Sequence, residues 1–177
     1  MKHQEVILAG FGGQGILSAG KILAYAGMLE NKNVSWLPSY GPEMRGGTAN
    51  CSVIVSDENV GSPIINVPTS IIVMNGPSLD KFEKMVDSGG VIIADSSLVE
   101  RDSQRKDVNI YKIPATKTAL DMGNSTFATI ILLGKLVSAT GIISKDSFEE
   151  ALKKTLPARK HHMIPDEIKA FEFGMDF

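Results

Sequence analysis

The sequence predicts a three-layer α/β/α domain on a mostly parallel but mixed sheet, and three observations predict it. Short apolar runs suited to strands alternate with longer stretches of helical periodicity, as a layered α/β domain requires. A glycine-rich turn, Gly10-Phe-Gly12-Gly13-Gln14-Gly15, joins the first run to the first helical stretch. The link between the second and third runs, Pro38 to Thr48, is too short for a helical crossover, so an antiparallel or mixed arrangement is expected there.

Taken in order, Glu5 to Ala9 reads as the first strand. Ile16 to about Leu29 reads as a helix apolar on nearly every side, interrupted by Ser18, Lys21 and Tyr25, and such a helix is buried on more than one face. Asn33 to Leu37 is a second strand, ended by Pro38, and Ala49 to Ser56 a third with an apolar run suited to a sheet interior. Ser70 to Asn75 and Gly90 to Asp95 are strands flanking a helix from about Ser78 to Val86, with Gly89-Gly90 as its stop signal. Asn109 to Ile113 is the last strand. The remainder is helical over Thr116 to Met122, Thr126 to Thr140, Lys145 to Leu156 and Asp166 to Phe173, punctuated by Gly123-Asn124, Gly141 and Pro157.

The composition bounds the function. With 177 residues, 43% apolar and 21% charged, the chain is expected to form one globular domain over 1–177. A formal charge of −2 without long Lys/Arg runs argues against a nucleic-acid surface, so any anion site is local. The polar amino end runs straight into a strand without the pattern of a secretory signal, and a cytoplasmic protein with no membrane partner is expected. The apolar run Phe127 to Val137 is broken by Lys135 and falls short of the roughly 20 residues needed to cross a bilayer, so it reads as a buried helix. The single cysteine, Cys51, excludes an internal disulfide and cannot alone hold an iron–sulfur cluster or zinc; its apolar strand context gives it a structural role.

Gly10, Gly12 and Gly15 satisfy G-x-G-x-x-G between a strand and a helix, the context of Rossmann-like domains. Glycine is needed there because a Cβ would hold the backbone away from a phosphate and block positive φ, while the helix start supplies unpaired N–H groups. Gln14 offers a side-chain amide. A dinucleotide reading would require an acidic residue at the end of the second strand, where this chain has Ser35-Trp-Leu-Pro38, so the loop reads as a general phosphate cradle. The competing reading is that the glycines only permit a tight turn and close helix packing. Lys21 either reaches back to this loop or snorkels from a buried helix.

About 25 residues on, the run Ser39-Tyr-Gly41-Pro42-Glu43-Met-Arg45-Gly46-Gly47-Thr48 places a guanidinium among glycines. Arg45 offers a planar fork matched to phosphate oxygens, and Gly46-Gly47 let the chain fold against a ligand. An ordinary surface loop is the alternative.

These two motifs, in this order and spacing, resemble the gamma subunit of the 2-oxoacid:ferredoxin oxidoreductases, particularly the 2-oxoglutarate and 2-oxoisovalerate branches, within the pyruvate/ketoisovalerate gamma-domain family. The resemblance spans nearly the whole chain and includes Thr48-Ala-Asn-Cys-Ser-Val-Ile-Val-Ser-Asp57, Met74-Asn75-Gly-Pro-Ser-Leu-Asp80 and Ile113-Pro-Ala-Thr116. It implies oxidative decarboxylation of a 2-oxoacid to an acyl-CoA with electrons passed to ferredoxin, in a complex of alpha, beta, gamma and ferredoxin-like delta subunits. Thiamine diphosphate, Mg and the iron–sulfur clusters would belong to partner subunits, and the gamma domain would close over the active site and contribute to binding coenzyme A. On that reading Gly10, Gly12, Gly13, Gln14, Gly15, Ser39, Arg45 and Gly46 are the contacts to coenzyme A, and Thr116 and Asn124 are weaker ones; no residue of this chain is catalytic. Other readings are a free-standing nucleotide-binding or regulatory domain, or a purely structural subunit.

Lesser candidates read as structural. His161-His162 form a solvated basic turn, Ser96-Ser97 cap or turn the chain after Asp95, and Ile164, Ile168, Phe171 and Met175 make a helical stripe that is either core or a docking face.

Overall fold

A computed structural model describes residues 2–39 and 48–177. One six-stranded sheet runs in the order β2-β3-β1-β4-β5-β6, formed by β1 (His3–Phe11), β2 (Asn33–Pro38), β3 (Thr48–Ser56), β4 (Ser70–Val73), β5 (Val91–Asp95) and β6 (Asn109–Ile113). β1, β4, β5 and β6 are mutually parallel, whereas β3 runs antiparallel to both β1 and β2. The expected departure is therefore located at β3, as the short link from Pro38 requires.

The helices are α1 (Ile16–Leu29), α2 (Gly76–Phe82, continued by a 3₁₀ turn over Glu83–Met85), α3 (Ala115–Asp121), α4 (Phe127–Thr140), α5 (Lys145–Thr155) and α6 (Ile164–Asp176), the last preceded by a 3₁₀ turn over Ala158–Met163. The last helix starts two residues earlier than the sequence pattern suggests, because Pro165 in its first turn gives up no hydrogen bond there. Asn75 caps α2 by accepting from the Ser78 N–H, and Ser144 caps α5 by accepting from the Ser147 N–H.

One face of the sheet carries α1 and α3 to α6, whose apolar side chains meet Val6, Leu8, Val53, Val55, Ile72 and Ile93. The other carries α2, where Leu79 and Phe82 cover Ile7, Ile71, Val73 and Ile92. Alternate residues of the four inner strands, β3, β1, β4 and β5, thus serve different layers, which is why those strands read as continuous apolar runs. α1 lies close to the sheet because Gly20 and Gly27 face it. A Cβ on Gly20 would stand 2.5 Å from Cys51 Sγ, and one on Gly27 would stand 2.8 Å from Val55 Cγ1. The stripe of α6 belongs to the core: Ile164 and Phe171 are buried, Ile168 and Met175 pack against them, and Phe171 stacks on Phe148 at 3.8 Å. Among the described residues no helix is long and apolar enough to cross a membrane.

The topology reverses at β1 and β4. The chain leaves β1 through α1 on one face and leaves β4 through α2 on the other, so a crevice opens outside the carboxyl ends of these neighbouring strands. The glycine loop sits at that point.

Candidate functional site

The glycine loop turns on two residues in the left-handed region, Gly13 at φ 90° and Gly15 at φ 82°, where a side chain would be strained. Gly15 is the N-cap of α1. The cap has no side-chain hydrogen bond and the first turn has no acidic residue, so the helix start presents backbone donors and a positive dipole end without an internal counter-charge. Gly12 and Gly13 are exposed.

The other members of the motif do different work. Gly10 is buried, and its missing Cβ makes room inside the protein: a Cβ would stand 2.5 Å from Gln14 Oε1 and 3.1 Å from Met74 Cβ. The Gln14 side-chain carbonyl folds back to accept from the Phe11 N–H at 2.6 Å, so that oxygen braces the loop. The Thr129 hydroxyl of α4 donates to the Gln14 carbonyl, tying the loop to a second helix.

Ser39 is exposed and donates its backbone N–H to Asn50 O at 2.9 Å. Arg45 and Gly46 lie outside the described residues. The described residues that flank them pair at the glycine loop's end of the sheet: Pro38 with Cys51, and Thr48 with Phe11, the last residue of β1.

Beside the loop is a cavity of about 360 Å³, with walls from the glycine loop, α1, the start of α4, the 3₁₀ turn and α6. Gly12, Gly13 and Gly15 line it, whereas Gly10, Gln14 and Ser39 do not. Most of its surface is apolar. Two charged groups border it, Lys160 and Glu167, and sequence reasoning passed over both. Glu167 is 6% exposed and its Oε2 has no hydrogen-bond partner. Burial pushes its carboxyl up to about 6, against a smaller lowering by Lys160. A signal for it existed: Glu167 falls three residues after Ile164 and four before Phe171, a charge inside an apolar helical stripe.

Several candidates are absorbed by structure. Lys21 is exposed and does not border the cavity. The Thr116 hydroxyl is held by buried Asp95, which also accepts the Thr116 and Ser97 N–H groups, and Asn124 Oδ1 accepts from the N–H and hydroxyl of Thr126. Cys51 is fully buried, and burial pushes its thiol up to about 12, which makes it inert as a nucleophile. His161 and His162 are exposed, and among the described residues no group of three or more His, Cys, Asp or Glu could hold a metal ion.

Fold and site together define a doubly wound, Rossmann-like α/β domain with an open glycine loop at its topological switch point. The chain belongs to the pyruvate ferredoxin/flavodoxin oxidoreductase family, which it matches over residues 5–177. It is 39% identical over 158 residues to 2-oxoglutarate synthase subunit KorC of Methanocaldococcus jannaschii, covering 88% of this chain and 84% of that one. It is 38% identical over 178 residues to ketoisovalerate oxidoreductase subunit VorA of Methanothermobacter marburgensis; that match takes in 99% of this chain but spans only 37% of the relative's length. The crystal structure of a keto/oxoacid ferredoxin oxidoreductase gamma subunit from Geobacter sulfurreducens superposes with a TM-score of 0.86 at 29% identity, over 99% of this chain and 96% of that one.

Proposed function

We propose that the whole chain acts as a gamma-type subunit of a cytoplasmic 2-oxoacid:ferredoxin oxidoreductase, binding coenzyme A and closing the active-site cleft over it. The complex would convert a 2-oxoacid, coenzyme A and oxidised ferredoxin to an acyl-CoA, CO2 and reduced ferredoxin. Thiamine diphosphate with Mg would supply the decarboxylation chemistry from the alpha and beta subunits, and iron–sulfur clusters on a delta subunit would carry the electrons. This chain's part is to bind and orient. The observation that carries the reading is the uncapped start of α1 behind Gly13 and Gly15, opening at the switch point where Thr48 of β3 pairs with the end of β1.

Coenzyme A suits this arrangement because its pyrophosphate and 3′-phosphate need several oriented donors and at least one cation. The backbone N–H groups of exposed Gly12 and Gly13 and of half-buried Gly15 supply donors, and Arg45 supplies the cation. Gly46 lets that loop approach, with Ser39 as a further donor at its root. Gly10 and Gln14 contribute by holding the loop in shape.

The test is coenzyme A affinity and acyl-CoA formation in the reconstituted complex with Arg45→Ala. Loss of a charged hydrogen-bonding partner is expected to raise the Kd for coenzyme A by about tenfold to a hundredfold. An unchanged Kd removes Arg45 from the site.

A further inference from the structure

We propose that the cavity beside the glycine loop receives the pantetheine arm of coenzyme A and that Glu167 holds it there by accepting a hydrogen bond from an amide N–H. The inference rests on the coenzyme A reading above and adds to it a subsite and a residue. Three features of the cavity lead to it. First, Glu167 is an acceptor in need of a donor: it is 6% exposed and Oε2 is unpartnered. A buried carboxylate left in that state is costly, and among the described side chains the only cation bordering the same cavity is Lys160.

Second, the polar lining of the cavity is of two opposite kinds. Gly12, Gly13 and Gly15 present a donor-rich, anion-accepting edge, whereas Glu167 presents an acceptor. A ligand satisfying both carries an anionic group and an N–H donor. Third, most of the cavity surface is apolar, contributed by residues such as Phe11, Ile16, Leu17, Ile22, Ile130 and Leu156. Such walls suit methyl and methylene groups, and a cavity of about 360 Å³ lies within the size range of small-ligand sites. A phosphorylated chain with a gem-dimethyl carbon, methylenes and secondary amides meets all three requirements. The pantetheine phosphate portion of coenzyme A is such a chain, while its adenosine portion is not.

The division of labour is therefore testable by splitting the ligand. In the assembled complex, calorimetric titration would compare coenzyme A with adenosine 3′,5′-bisphosphate, which has phosphates but no pantetheine. Glu167→Leu removes the acceptor and keeps an apolar wall; Glu167→Gln keeps an acceptor oxygen without charge. Glu167→Leu is expected to weaken coenzyme A about tenfold or more and to leave adenosine 3′,5′-bisphosphate unchanged, with Glu167→Gln in between. Coenzyme A affinity within twofold of wild type in Glu167→Leu overturns the inference and leaves the coenzyme A reading standing. Equal weakening of both ligands overturns it as well, because Glu167 then acts on the fold rather than on the arm. If the wild-type complex binds neither ligand, the coenzyme A reading itself falls.

Discussion

A single methyl group added to Gly174 is expected to destabilise the protein, although the same change in most helices stabilises it. Gly174 lies in α6 where that helix crosses α4. A Cβ built on it would stand 2.7 Å from the carbonyl carbon of Ile131 and nearer still to its oxygen. Real Cβ atoms essentially never approach within 3.0 Å, and here the obstacle is backbone, which cannot rotate away. Gly134 of α4 is the reciprocal position, its Cβ falling 3.0 Å from the carbonyl carbon of Phe171. The helices must therefore move apart, loosening Phe171 from its stack on Phe148.

Replacing a mid-helix glycine by alanine gains about 1 kcal/mol in propensity. Overpacking against a rigid neighbour costs about 3 kcal/mol at the upper end of its usual range, which leaves a net loss of about 2 kcal/mol. Urea unfolding with a slope of about 2 kcal/mol/M would show this as a midpoint lowered by about 1 M. Gly61→Ala is the control: nothing lies within 4 Å of its Cβ, and its stability should stay within about 0.5 kcal/mol of wild type. Gly134→Ala should lose stability with the same sign, and the double variant should lose less than the sum because both changes wedge one crossing. A Gly174→Ala protein as stable as wild type would refute the backbone-contact reasoning. Because α6 also carries Glu167, the same displacement should disturb the cavity.

Two further outcomes follow from the same geometry. The Glu167 carboxyl is raised from 4.5 to about 6, chiefly by burial, so the folded state holds that proton more tightly than the unfolded chain. Its penalty is absent below pH 4.5, grows as the pH rises to about 6 and is constant above. Glu167→Gln should therefore gain about 1 to 2 kcal/mol at pH 7.5, allowing for loss of a favourable helix-dipole interaction, and gain nothing from this source at pH 4. Equal gains at both pH values, measured by urea unfolding, would contradict the assignment. Cys51, fully buried with its thiol pushed up to about 12, should resist a thiol reagent at pH 8 in the native protein and react promptly in denaturant; prompt native labelling would show that β3 opens.

The layers of this domain are legible in the sequence because each follows from a local pattern. Apolar runs too short for helices, a proline ending β2 and a link too short for a crossover select six strands with β3 reversed. The glycine signature marks a turn into a helix because positive φ is tolerated by few other residues, and Gly13 and Gly15 adopt it. What such patterns do not carry is which atoms meet across the chain. The motif counts Gly10 and Gln14 with the ligand-facing glycines, and the folded loop adds a further role for them: Gly10 makes room for the Gln14 side chain, whose carbonyl oxygen braces the loop at Phe11.

By itself, the sequence determined the α/β class, the mixed sheet, the glycine loop and the signature around Arg45, since these rest on residue types a few positions apart. Only the tertiary structure decided that Thr48 of β3 pairs with Phe11 at the end of β1, that α4 clamps the loop through Thr129, and that Glu167, more than 150 residues from the glycines, borders the same cavity. The physical reason is that a strand or helix is selected by near neighbours in the chain. A site at a switch point is assembled by sheet order, and by how closely α4 and α6 can approach through Gly134 and Gly174.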